Sequence, residues 1–156
     1  MPSIPYFPEI GDNGFENNRN ISNDNVISES GYYGDIRINN GNNGNGKDKD
    51  KDKGKDKDKK NSNNGVVIDT TNGTTITSDD KDISILLDNI DMKDDITIQG
   101  DGRVSLFIND HGEFKTPDLE TDQLFVFLKE DATFTLQANS EFNGDIYGPH
   151  AEVTMN

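Results

Sequence analysis

The chain of 156 residues has no cysteine and no tryptophan, and only 29% of its residues are hydrophobic. Without cysteine there is neither a disulfide framework nor a thiolate metal site. With two histidines, His111 and His150, a zinc centre lacks nitrogen ligands as well. So little apolar material excludes one compact core built from the whole length. It leaves two classes, a partly disordered chain or a polar repeat structure. No stretch approaches the ~20 apolar residues of a membrane span. Met1 to Ile10 has neither the basic start nor the apolar run of an export signal. Positive charge is scarce too. The net charge is −15, and residues 65–156 hold nineteen acids against five bases. Nucleic acid and direct binding to an anionic membrane are therefore not expected, because both need a cationic surface. Cations and basic partners suit this charge.

Gly, Asn and Asp are abundant and favour turns over helices. Residues 1–38 are irregular, with one short strand expected around Ser30–Ile38, and form a lid or a first rung on the repeats beyond residue 64. Residues 39–64 are low-complexity. From Lys47 to Lys60, eight lysines alternate with five aspartates and one glycine interrupts them. In strict alternation, residues four apart carry the same charge, which repels on a helix, so this segment is expected to be a flexible, hydrated linker.

From residue 65 to 156 the pattern changes to short β-prone runs separated by Asp, Asn and Gly. The runs are 66–68, 74–77, 83–87, 96–98, 104–108, 114–116, 124–128, 134–136, 145–147 and 153–155. They form two interleaved series. Ile85, Leu106, Val126 and Ile146 are spaced by 21, 20 and 20 residues; Ile98, Thr116, Leu136 and Met155 by 18, 20 and 19. A coil of about 20 residues with two or more strands per turn stacks such positions into internal columns. The fold class expected is therefore all-β, a parallel β-helix (β-solenoid). The rival is an antiparallel sandwich, which the hairpin-type pairs Asn72-Gly73, Asp101-Gly102 and Asn143-Gly144 favour. The alternating pattern runs to Met155 with no polar cap. The array is thus expected to continue in a longer chain, or to end in a rung that self-associates end to end.

The segment Glu141 to Met155 contains Gly144, Ile146, Tyr147, Gly148, Pro149, Ala151 and Val153 in sequence. It resembles a signature of a bacterial β-solenoid domain found behind PilX-like N-terminal regions in type IV pilus-associated proteins. In that family alanine is usual where Gly148 stands, a hydrophobic N-terminal helix usually precedes the domain, and a Gly-rich strand usually closes it. The resemblance covers residues 65–156, with Tyr32-Tyr33 an echo upstream. It implies an extracellular or cell-surface structural module whose partners are pilus subunits, other surface proteins or polysaccharide. It transfers no catalytic residue. Read physically, Gly144, Tyr147, Gly148 and Pro149 make a rigid corner: proline lacks an N–H and suits a bend rather than a central ladder position. A ligand-contacting Tyr147/His150 pair is the functional alternative.

Turn carboxylates suit calcium, a hard cation that takes six to eight oxygens. Asp88, Asp91, Asp94 and Asp95 are the metal candidates, with solvated turn acids as the bland alternative. No EF-hand loop, Walker loop, dinucleotide fingerprint or nucleophile elbow occurs. The expectation is a non-catalytic structural or adhesion module with no cofactor. The alternatives are an end-to-end polymerising scaffold and a carbohydrate-active enzyme on a β-helix, for which Arg103, Lys115, Asp101 and Glu113 are the residues to consider.

Overall fold

The structure is a computed structural model and describes residues 7–12, 14–16, 18–19, 25–38, 65–71, 81–93, 95–115, 122–137 and 142–156. The linker segment 39–64, the expected strand at 74–77 and Asp94 lie outside them. Ten strands and no helix occur among the described residues: β1 Val26–Ile27, β2 Gly31–Ile38, β3 Val66–Asp69, β4 Ile83–Met92, β5 Ile96–Gln99, β6 Val104–Phe114, β7 Leu124–Leu128, β8 Thr133–Leu136, β9 Asp145–Tyr147 and β10 Glu152–Met155. They form two sheets. One has the order β1-β3-β5. In the other, β2, β4 and β6 lie side by side; the first half of β6 then pairs with β7, which pairs with β9, and its second half pairs with β8, which pairs with β10.

Every described strand pair is parallel, which removes the antiparallel sandwich. Asp101-Gly102 and Asn143-Gly144 join strands that do not pair with one another, so neither is a hairpin turn. Parallel neighbours need long connections, and the register supplies them at the spacing of the sequence repeat: Ile83 pairs with Val104, and Val104 with Leu124.

β-Branched and leucine side chains alternate inward along each strand. Ile85, Leu106, Val126 and Ile146 are register partners in a row, as their spacing indicates. The second expected series is different in the structure. Ile98 pairs with Ile68 in the β1-β3-β5 sheet. The column that contains Leu136 and Met155 runs instead through Ile38, Met92 and Phe114. The physical reason is that β4 and β6 do not stop at Leu87 and Ile108. Each passes through a register shift and continues as a second strand segment, where polar Asp, Asn, His and Glu alternate with the inward residues. Gly112 belongs to this segment: a Cβ there would lie 2.5 Å from the Phe134 ring, so the glycine makes room for a fully buried phenylalanine one strand away.

The connection between β5 and β6 is fastened by side chains. Thr70 is fully buried; its hydroxyl donates to the Gln99 carbonyl at 2.7 Å and accepts the Gly102 N–H at 3.1 Å. Gln123 Nε2 donates to the carbonyls of Gly100 and Gly102 at 2.8 and 2.9 Å. Buried backbone groups in an irregular connection thus find partners across neighbouring strands. Residues 26–38 share both sheets with the rest of the chain through β1 and β2. Ahead of them, Asn18 bridges to Tyr32, and the Arg19 side chain covers Gly31 and pairs with Glu29.

Candidate functional site

Side chains on a strand alternate between faces, so the residues flanking Ile85, Leu106 and Val126 point away from the core. On that outer face one column is not polar. Tyr32, Leu86, Phe107, Phe127 and Tyr147 are register partners in sequence across five strands. The Phe107 and Phe127 rings stack at 4.9 Å with an interplanar angle of 16°, and Phe127 and Tyr147 are tilted at 6.3 Å. Parallel in-register pairing brings like side chains together, and offset ring pairs contribute about 0.5–1.5 kcal/mol beyond their burial.

One end of this ladder is covered. Glu9 to Asp12 make a turn in which the Glu9 N–H donates to the Asp12 carboxylate, and the Gly11 N–H donates to the Phe15 carbonyl. Just before it, Phe7 meets Phe107 edge-on at 5.3 Å and Pro8 is buried. Phe107 is consequently buried although it lies outside the main core. Beyond Phe7 the ladder opens into a pocket of about 220 Å³, lined by Phe7, Glu9, Phe127, Leu128, Lys129, Glu130, Tyr147, Pro149 and His150. Tyr147 is 41% exposed there. The mixture of an apolar floor with a few charged rim groups is the usual character of a ligand site.

The corner residues take these places: Tyr147 ends β9, and Gly148 to Ala151 make the turn into β10, closed by the Ala151 N–H donating to the Gly148 carbonyl at 3.1 Å. A Cβ on Gly148 would lie 2.8 Å from Leu128 Cβ, and one on Gly144 2.9 Å from the Leu124 carbonyl. The two glycines let the chain on either side of β9 sit close on β7. Tyr147 and His150 come together on the pocket.

Of the calcium candidates, the three among the described residues, Asp88, Asp91 and Asp95, do not form a cluster. Asp88 accepts hydrogen bonds from Tyr32 and from Asn109 Nδ2. Asp91 Oδ1 is buried without a hydrogen-bond partner, and Asp95 is exposed. Among the described residues no group of three or more His, Asp or Glu side chains is arranged to hold a metal. The four residues considered for catalysis are divided as well. Lys115, just past the end of β6, pairs at 3.3 Å with Glu113 within it, whereas Asp101 and Arg103 precede its other end, with Arg103 over the Phe125 ring.

Tyr32, at the far end of the ladder, has its phenol pushed up to about 12 by the hydrogen bond to Asp88, then by burial and by the charges of Asp88, Asp35 and Asp110. The native state therefore holds this proton more tightly than the unfolded chain, whose phenol titrates near 10.0. The stabilisation is complete below pH 10 and is lost as the pH rises toward 12. Tyr32→Phe is expected to flatten the fall in stability over that window. Urea midpoints measured at increasing pH would check it, and identical alkaline slopes for both proteins would contradict the linkage.

The ladder lies outside the inward columns, but it has a signal of its own in the sequence. Leu86, Phe107, Phe127 and Tyr147 recur at 21, 20 and 20 residues, the period of the core column one position earlier. No curated protein and no solved structure matches the chain. A family model matches residues 16–156, the whole sheet assembly but not the turn that carries Phe7, and the chain thus belongs to the family described as a domain of unknown function (DUF7305).

Proposed function

We infer that the chain coils as a parallel β-solenoid with about 20 residues per turn and serves as a non-catalytic structural or adhesion module of a bacterial surface protein of the type IV pilus-associated kind. The coil is supported by the register: successive strands on each face repeat the same residue order one turn later, so each turn templates the next. One turn cannot bury its own apolar edge, whereas a stack buries a continuous core.

The observation that carries the functional reading is the outward ladder ending in the pocket at Tyr147. A solenoid needs apolar residues inside only. Apolar and aromatic side chains repeated on the outer face at the same period add a contact surface that the core does not require. Tyr147 and Pro149 of the Ile-Tyr-Gly-Pro phrase, on which the resemblance to pilus-associated domains rests, line that same pocket. The excess of nineteen acids over five bases in residues 65–156 suits a module exposed at high density, where self-repulsion keeps copies apart.

Localisation tests this reading. Fractionation of the cells that produce the protein, followed by immunodetection, is expected to find it in the envelope and surface fractions and accessible to protease on intact cells. A wholly cytosolic pool would contradict a surface role.

A further inference from the structure

The covered end of the ladder shows what chemistry the face accepts. Phe7 and Pro8 are adjacent in sequence; Phe7 meets Phe107 edge-on, and Pro8 is buried. Both lie before residue 16, where the family match begins. A segment from outside the matched domain, with phenylalanine followed by a buried proline, thus already meets the domain's outer ladder through its Phe7 ring. The same face continues without interruption, because Phe107 stacks on Phe127 and Phe127 contacts Tyr147. From there on it is open: Tyr147 is 41% exposed and the pocket extends from Phe7 to Pro149.

The pocket holds about 220 Å³. Sites that enclose a drug-sized ligand measure roughly 300–1,000 Å³. This one suits a ring or two from a longer molecule lying across the face. Proline-containing segments fit such a role physically. Their backbone is already extended, so little entropy is lost on docking, and aromatic-lined grooves recognise them. Glu9, Glu130, Lys129 and His150 stand at the rim, where carboxylates can accept from peptide N–H groups and cationic donors can bond carbonyls.

We propose that the open half of the ladder, Phe127, Tyr147 and Pro149, is a docking groove for an extended aromatic–proline segment of a partner protein, chemically like the Phe7-Pro8 segment whose Phe7 ring packs on Phe107. The identity of the partner as a surface protein rests on the adhesion reading above; the groove and its preference do not.

The test is a fluorescence-anisotropy titration of the full chain against a labelled peptide with the sequence of residues 4–11, Ile-Pro-Tyr-Phe-Pro-Glu-Ile-Gly. A control peptide carries serine in place of every proline and aromatic residue. The first peptide is expected to bind and the control not to. Tyr147→Ala is expected to weaken binding by about tenfold or more, since truncating a central aromatic anchor removes much of a small interface. Lys115→Ala, on another part of the surface, is expected to leave binding unchanged. Circular dichroism and melting of each variant separate lost binding from lost fold, and Phe127→Ala provides a second probe of the groove if Tyr147→Ala unfolds. The proposal is overturned if the folded wild-type chain binds neither peptide, if it binds both alike, or if folded groove variants bind as well as wild type. A surface-located protein that fails to bind would sink the groove alone. A cytosolic protein that binds would sink the surface role alone.

Discussion

Phe114→Ala is expected to destabilise the protein by about 3–5 kcal/mol, the range for removing a large aromatic side chain from a packed core. Phe114 has no solvent exposure. It ends β6, paired with Met92 on one side and Leu136 on the other. Its ring meets Phe134 edge-on at 5.1 Å and lies 6.3 Å from Phe142. Relaxation around the missing ring is restricted, because the strands on both sides are fixed by parallel backbone ladders. The cavity term therefore adds to the transfer term rather than being relieved. Urea denaturation would read the effect as a lower midpoint with an unchanged slope. A loss below about 1 kcal/mol, typical of a surface substitution, would place Phe114 outside the core.

How much of the fold is readable from residues alone depends on which forces have a period. The inward column through Ile85, Leu106, Val126 and Ile146 is legible because a buried position tolerates little but aliphatic residues, so the repeat stays visible. The second column is not legible in the same way. Its core residues, Met92, Phe114 and Leu136, belong to strand segments reached through a register shift, and a shift breaks the spacing that a periodic search tracks. Ile98 fits the same spacing by coincidence and lies in the other sheet. The ladder is concealed for another reason. The neighbouring outward column holds Ser84, Ser105 and Asp145 beside Phe125, so the outer face reads as mixed and the apolar column does not stand out. Nothing in the sequence ties Phe7 to Phe107, since that contact joins residues far apart with no shared repeat. The Tyr147/His150 pair is legible as an alternative, because both sit beside the bend at Pro149.

The second large effect concerns the proposed coil, and two deletions of different length test it. Val104 pairs with Leu124, so residues 104–123 make up one register repeat. Removing that stretch brings β7 beside β4. Leu124 then falls opposite Ile83, Val126 opposite Ile85 and Leu128 opposite Leu87, the positions that Val104, Leu106 and Ile108 hold now. These inward residues keep aliphatic partners and the backbone ladders re-form, while Phe134 falls opposite Ile90 in place of Gly112 and adds to the loss of stability. A repeat structure whose stability is the sum of its rungs and their interfaces loses one rung's share and keeps its fold. Removing only about half of the stretch, residues 114–123, leaves the ends out of phase. The strands beyond the deletion then cannot meet their partners with apolar faces inward, and β-structure fails from that point on. Thermal unfolding of these two deletions, followed by circular dichroism, is the most direct test of a solenoid built from equivalent turns. We expect the whole-repeat deletion to retain a β spectrum and one cooperative transition at a lowered Tm, and the half-repeat deletion to lose the transition. Equal loss of cooperative unfolding in both, or equal tolerance of both, would contradict it.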